Sequence, residues 1–421
     1  MSEPVWIIGV GADGPNGLRP ELRQKVADAT WIAGGERHLA RVESSRAERF
    51  VIRDNVADLI EVLRGRPADA RCVVLASGDP MFYGIGGVLG DVLGPDAIRV
   101  EPAISSMQLA FARAGLSWQV AEIVSIHGRP LEPQLLPVLG RRRIGIFSDD
   151  GTSPRRVAEF FAQRGVADYR AWVCERLGAA DERITSLPLP DVLKREQPFS
   201  PLNFLVLERQ QPEAYFDELD RLRRLAPGIP DDEFIRPATG PVLMTHQEVR
   251  AAALAKLRPG RVSGGTIWDI GAGVGTVSVE AALLNPAAEV LAVERSNPEF
   301  VVLARNRQRF GAFNIRPIFG EAPAALAAES AQPQSVFIGG SGSQLAAILN
   351  VVRDRLEPNG RLVANFVTIE NLSLCLAACD SWRWPRQVVQ IAIARSDRLA
   401  DLTGLRPDRP VWILTAEKPT H

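Results

Sequence analysis

The chain has little of what builds a cross-linked, metal-centred or membrane-embedded protein: 4 cysteines and 4 histidines in 421 residues, with a net charge of −1. The cysteines Cys72, Cys174, Cys375 and Cys379 are too few and too scattered for a disulfide framework, so reduced core thiols are expected. Cys375 and Cys379 lie one helical turn apart, but no histidine or further cysteine stands nearby to complete four zinc ligands. No metal site is expected. No apolar run approaches the roughly 20 residues of a membrane helix. The start, MSEPVWIIGV, carries Glu3 and only a short apolar run, which is not a secretory signal. A cytoplasmic location without membrane contact is the expectation. Near-neutral charge without a Lys/Arg-rich run removes the general attraction to nucleic acid, so no nucleic-acid partner is expected.

What is present is length and alternation. A chain of 421 residues exceeds what one hydrophobic core usually serves, and two domains follow. In the first half, apolar runs at 5–10, 71–76, 121–126, 142–147, 169–174 and 203–208 alternate with amphipathic segments, which predicts an α/β domain over 1–208. From Arg209 the pattern breaks into RQQPEAYFDELDRLRRLAPGIPDDEF, read as a linker over 209–235. A second α/β run over 236–421 follows. It has predicted helices at 246–257, 275–284, 298–310 and 343–356, and strands at 266–271, 289–294, 315–320, 335–340 and 361–366. That order suits an open, doubly wound sheet.

The sharpest local signal is IWDIGAGVGTVSVE, an apolar strand running through Gly271, Ala272, Gly273, Val274 and Gly275 into a helix. Glycines allow a tight turn and close backbone approach, and a helix start presents free N–H groups to a ligand. Glu294 ends the next strand about 20 residues on, where a carboxylate accepts hydrogen bonds from ribose hydroxyls. A dinucleotide site would place glycine where Thr276 stands, so the G-x-G-x-G spacing favours S-adenosylmethionine.

With PVLMTHQEVRAAALAKL (241–257), GEAPAAL (320–326) and GGSG (339–342) in order, the segment from about Gly228 to Pro419 resembles the C15-methylating, decarboxylating subunits of cobalamin biosynthesis. The resemblance implies a class I, Rossmann-like methyltransferase domain whose methyl-donor pocket is lined by Thr245, Gly271 through Gly275, Glu294 and Ala322. It differs from the family in having Glu294 where Asp is usual.

In the first half, VVLASGDPMFYGIGG (73–87) ends a buried strand in Ser77-Gly78-Asp79-Pro80, and PAISSMQLAFARAGL (102–116) and FSPLNFLVLE (199–208) follow. From Val5 to Glu208 the chain resembles the tetrapyrrole methylase family, which implies a second donor site of different design, with Gly78, Asp79, Pro80, Ser105 and Ser106 as its residues. The first loop departs from that family, with Ala12-Asp13 in place of the usual Pro-Gly pair.

Together the two halves resemble the fused, decarboxylating precorrin-6Y C5,15-methyltransferase family. This implies methylation of precorrin-6Y (precorrin-6B) at C5 by the first domain and at C15 by the second. Loss of the ring C acetate carboxyl then gives precorrin-8, with S-adenosylmethionine at two sites. A reduced tetrapyrrole is the expected partner, and a homo-oligomer, dimer or tetramer, the expected assembly. Arg395, Arg398 and Arg406 are candidates to hold substrate carboxylates through their guanidinium forks. No acid–base residue is assigned, and His38, His127, His246 and His421 are read as non-catalytic, although His246 adjoins Thr245. The alternatives are an RNA or protein methyltransferase, which a turnover assay on RNA against a reduced tetrapyrrole separates, and a non-catalytic S-adenosylmethionine-binding protein, which formation of S-adenosylhomocysteine would eliminate.

Overall fold

The computed structural model describes residues 3–42, 47–211, 213–238, 244–262, 264–399 and 401–420. Its packing separates two units, the first comprising Met1–Arg129, Arg142–Glu159 and Ala167–Gln210, the second Pro130–Arg141, Phe160–Val166 and Gln211–His421.

The first unit holds two sheets. One contains β1 (Val5–Val10), β2 (Trp31–Gly34), β3 (Glu48–Val51), β4 (Cys72–Ser77) and β5 (Ile98–Glu101), all parallel, in the order β3-β2-β4-β1-β5. Strands covered on both faces need apolar residues at every position, which explains the continuous runs VWIIGV and CVVLA. Successive residues enter opposite cores: Ile8, Val10, Val73 and Leu75 pack on one side, and Val5, Ile7, Cys72 and Val74 on the other. The second sheet contains β6 (Glu122–Ser125), β7 (Arg143–Phe147), β8 (Tyr169–Glu175), β9 (Arg183–Pro188) and β10 (Asn203–Arg209) in the order β6-β7-β10-β8-β9. Only β6 and β7 pair in parallel; the remaining pairs are antiparallel.

The second unit is built on a seven-stranded sheet. Its members are β11 (Thr266–Ile270), β12 (Glu289–Glu294), β13 (Ile315–Phe319), β14 (Pro333–Ile338), β15 (Arg361–Phe366), β16 (Arg386–Ile391) and β19 (Val411–Glu417). The order is β13-β12-β11-β14-β15-β19-β16, with the last two added antiparallel. A separate hairpin, β17 (Ala394–Leu399) and β18 (Leu402–Pro407), leaves the sheet between β16 and β19. The order reverses between β11 and β14, which is where an open α/β sheet forms a crevice at its carboxyl edge.

From Gln211 on, the stretch read as a linker is instead part of this unit, while Arg209 ends β10 in the first. Glu213–Arg224 forms a helix, and Leu222, Ile229 and Phe234 are buried in the same core as Ile267, Val290 and Phe337. Its charges cover the outer face of an amphipathic helix, which a composition scan reads as polar throughout. Among the described residues, no helix is long and apolar enough to cross a membrane.

Candidate functional site

In the second unit, the carboxyl edge of β11 opens into a cavity of about 370 Å³. The glycine turn forms its floor. Gly271 has φ +71°, and a Cβ there would fall 2.2 Å from the Gly340 carbonyl oxygen, so backbone must meet backbone at that point. Gly339 N–H donates to Ile270 C=O at 2.9 Å, which ties the GGSG segment to the turn. Gly271 and Ala272 N–H both donate to Val293 C=O at 3.0 Å, and this fixes the turn against the end of β12.

Glu294 stands at that end, 6% exposed. Its Oε2 accepts from Gly273 N–H at 2.8 Å and its Oε1 from Ser296 N–H at 2.7 Å. Each oxygen keeps a further lone pair for a ligand. Thr245, Gly271, Ala272, Gly273, Glu294 and Ala322 all line the cavity. Val274 and Gly275 do not. Val274 is fully buried, with its carbonyl accepting from Asn306, because the turn winds into a helix, Thr276–Leu284, whose residues through Ala282 are all buried.

A second acid completes the site. Asp269, one strand residue before Ile270, is 1% exposed and lines the cavity. Its Oδ2 accepts from the Ser278 hydroxyl, and its Oδ1 has no partner. Burial pushes its carboxyl up to about 7, the Ser278 hydroxyl opposes that rise, and the Glu294 charge adds to it. The motif contains this residue, but only its orphaned oxygen marks it as ligand-facing.

Thr245 is held from behind. Arg250, wholly buried, donates through Nη1 to the Thr245 carbonyl at 2.6 Å and to Asp231 at 3.0 Å, and through Nε to Glu280 at 2.6 Å. Glu280, also wholly buried, accepts from the N–H groups of Gly228 and Ile229. His246 pairs with Asp231 at 2.8 Å and is not among the cavity-lining residues.

The arginines expected to hold substrate are elsewhere. Arg395 is engaged, bidentate to Glu248 at 2.9 and 2.6 Å and also bonded to Asp408 at 3.0 Å. Arg398 and Arg406 are exposed on the β17–β18 hairpin, and none of the three lines the cavity. Arg395 ties the hairpin to Glu248, and Arg406 lies 3.8 Å from Asp397 on the same hairpin.

In the first unit, Gly78 (φ +60°) follows β4, and a Cβ there would lie 2.9 Å from Ser105 Cα, so the two candidate segments meet. Ala103 N–H donates to Gly78 C=O at 3.1 Å. Ser105 caps the helix Ser106–Ala114 with a reciprocal Gln108 contact, and Asp79 Oδ1 accepts from Met81 N–H at 2.8 Å. Pro80 is buried, whereas Asp79 and Ser106 are half-buried. Beside them Tyr83 donates its hydroxyl to Ile123 C=O at 2.8 Å and packs its ring on Phe82 and Phe147, linking the β4 turn to the second sheet.

Comparison with known proteins places both halves. A family described as tetrapyrrole (corrin/porphyrin) methylases matches residues 4–193, and one described as precorrin methyltransferase domain matches residues 240–418. A precorrin-6Y C(5,15)-methyltransferase [decarboxylating] of Sinorhizobium sp is 35% identical over 98% of this chain and 95% of its own. A protein of the same name from Mycobacterium tuberculosis (strain ATCC 25618 / H37Rv) is 30% identical over 98% of this chain and 99% of its own. A cobalt-precorrin-6B C(15)-methyltransferase (decarboxylating) of Salmonella typhi is 38% identical over 45% of this chain and 95% of its own. Two full-length relatives with one name, over a chain that carries both domain types, lead to one conclusion: this chain belongs to the decarboxylating precorrin-6Y C(5,15)-methyltransferase family of S-adenosylmethionine-dependent C-methyltransferases.

Proposed function

We propose that this chain methylates precorrin-6Y (precorrin-6B) at C5 and C15 and removes the ring C acetate carboxyl to give precorrin-8, with a donor site in each unit. The C15 step and the decarboxylation fall to the second unit and the C5 step to the first. The observation that carries the reading is the cavity at β11, where the glycine-rich turn, Glu294 and the Asp269 Oδ1, unpaired among the described residues, converge. These residues fit S-adenosylmethionine. Glu294 would accept the ribose hydroxyls and Asp269 the ammonium of the methionine part. When bound, the donor supplies an electrophilic methyl on a sulfonium.

Among the described residues, the cavity lining contains no His, Cys or Lys. The protein's part is therefore alignment: holding the donor along one line so that an enamine-like ring carbon meets the methyl at the right angle. The new C–C bond uses the ring's electron pair, which leaves the macrocycle electron-poor. That deficit accepts the electrons of the acetate C–C bond as carbon dioxide departs, so the ring is its own electron sink. In the first unit, Gly78, Asp79, Pro80, Ser105 and Ser106 would hold the other donor. The near-neutral charge favours a small carboxylate-bearing substrate over RNA. We further propose a cytoplasmic, homo-oligomeric enzyme.

The test is mass spectrometry of the product from a reduced precorrin labelled in the ring C acetate carboxyl, with the full chain and S-adenosylmethionine. The expected product gains two methyl groups and loses one labelled carbon dioxide, with no release when donor is omitted. Donor-independent release would overturn the reading and require a dedicated acid–base site.

A further inference from the structure

We propose that Arg37 and Arg41, gathered with Ser77 at the carboxyl ends of β1, β2 and β4, form an anchor for a carboxylate of the tetrapyrrole. This rests on the function proposed above and names a contact in the first unit for its substrate. Arg37 follows β2 and donates through Nη2 to Ser77 Oγ at 2.6 Å. Ser77 is the last residue of β4, immediately before Gly78. His38, 7% exposed, places Nε2 at 2.9 Å from the same hydroxyl oxygen. Arg41 donates to the carbonyl of Ala12 in the loop after β1, and its stem runs against Gly14. Three neighbouring strands of one sheet therefore deliver their ends to one place.

The group has positive charge and, among the described residues, no counter-charge. Among the described residues, no carboxylate lies within ion-pair distance of Arg37 or Arg41, whereas Arg19, Arg53 and Arg64 in the same unit each have one. The crowding is felt. Partial burial, and then Arg41, lower the Arg37 guanidinium from its ordinary range. Burial, then Arg37 and Arg41, hold the His38 ring down to about 4, so it is neutral near pH 7. Two like charges held together and partly desolvated are unfavourable until an anion joins them. Both arginines are nevertheless exposed, so an anion can reach them. A guanidinium fork matches a carboxylate with two parallel N–H donors, and Arg37 has already spent one donor in fixing its orientation on Ser77.

Two sources offer that chemistry: a peripheral carboxylate of the tetrapyrrole and the carboxylate of the methyl donor. Sheet order favours the first. Arg37 enters from β2, across β4 from β1 and β5, while the donor-site candidate Ser105 follows β5.

The experiment uses the full-length chain and its Arg37→Ala, Arg41→Ala and Arg37→Lys variants, with three readouts: S-adenosylmethionine affinity by calorimetry, tetrapyrrole affinity by absorbance titration, and kcat and KM for C5 methylation. Loss of one charge-assisted contact predicts tetrapyrrole affinity and KM weaker by about tenfold to a hundredfold in each alanine variant. Donor affinity and C15 methylation should be unchanged, and Arg37→Lys should fall between. A wild-type tetrapyrrole affinity in both alanine variants would overturn the proposal. So would a loss confined to donor affinity, which would give the arginines to the donor's carboxylate. If wild type adds no C5 methyl, the function assigned to the first unit fails, and the absorbance titration still decides the anchor.

Discussion

Asp269 makes donor binding in the second unit a proton-linked event. Its carboxyl is pushed up to about 7 by burial, so close to half of the molecules carry the proton at neutral pH. An ammonium docking at Oδ1 requires the carboxylate. Binding should therefore release about half a proton at pH 7, and affinity should fall about tenfold between pH 8 and pH 6. The same shift acts on folding with the opposite sign from a salt-bridged aspartate. Because the folded pKa lies above the ordinary 3.8, the native state binds more protons than the unfolded state between those values, and stability falls as pH rises through that window. A shift of this size corresponds to an upper figure of about 4 kcal/mol. Asp269→Asn should remove that slope, stabilise the donor-free chain near pH 8, weaken the second site and flatten its pH profile. Calorimetry of wild type and variant in two buffers of different ionisation enthalpy measures the proton release. Equal apparent enthalpies in both buffers for the wild type, together with an affinity constant across that pH range, would refute the reasoning.

Gly271→Ala places a methyl 2.2 Å from the Gly340 oxygen at φ +71°, so it should cost at least the roughly 1–2 kcal/mol of a left-handed side chain. It should also abolish C15 methylation while C5 methylation continues, as product mass spectrometry would show. Glu294→Gln keeps the size of the side chain but turns one of its two acceptor oxygens into an amide donor that faces a backbone N–H, so donor affinity should drop by about tenfold and stability should fall by the roughly 1–3 kcal/mol of an unmade buried hydrogen bond. An unchanged affinity would point to another acid. Arg250→Ala leaves the wholly buried Glu280 carboxylate without its cation and should destabilise the second unit by about 3–5 kcal/mol in denaturant unfolding. A melt indistinguishable from wild type would show that the network contributes nothing.

Strands that are long, apolar and covered on both faces announce themselves: VWIIGV, EVLAVE and RLVANF coincide with observed strands residue for residue. Of the four-residue strands, β6 falls within the apolar run 121–126, whereas β2 and β3 do not announce themselves. WIAG and ERFV are too short to show a period, and their pairing is supplied by neighbours distant in sequence. The sheet's carboxyl-terminal part also escaped notice, because β16 is partly exposed along its length and the hairpin after it presents Leu402 and Leu405 to solvent. The glycine spacing and Glu294 are legible in the sequence because a tight turn demands particular residue types, and the structure brings both to one cavity. Asp269 is not legible, since its unpaired oxygen exists only once Ser278 has claimed the other one. For Arg395, a fork suited to substrate is equally suited to Glu248 and Asp408, and in this structure it engages both.

The place of β19 bears on how the second unit is made. This strand, Val411–Glu417, lies inside the sheet, between β15 and β16. While a ribosome is still emitting residues before 411, β15 has an open edge and β16 has no sheet partner. Open edges of that kind invite pairing with other chains. The glycine turn and Glu294 are by then long since synthesised, yet the sheet that holds them closes only with its last strand. Nascent chains stalled before residue 411 should therefore be clients for chaperones, and release of the final strand should be the step that commits the unit to its fold.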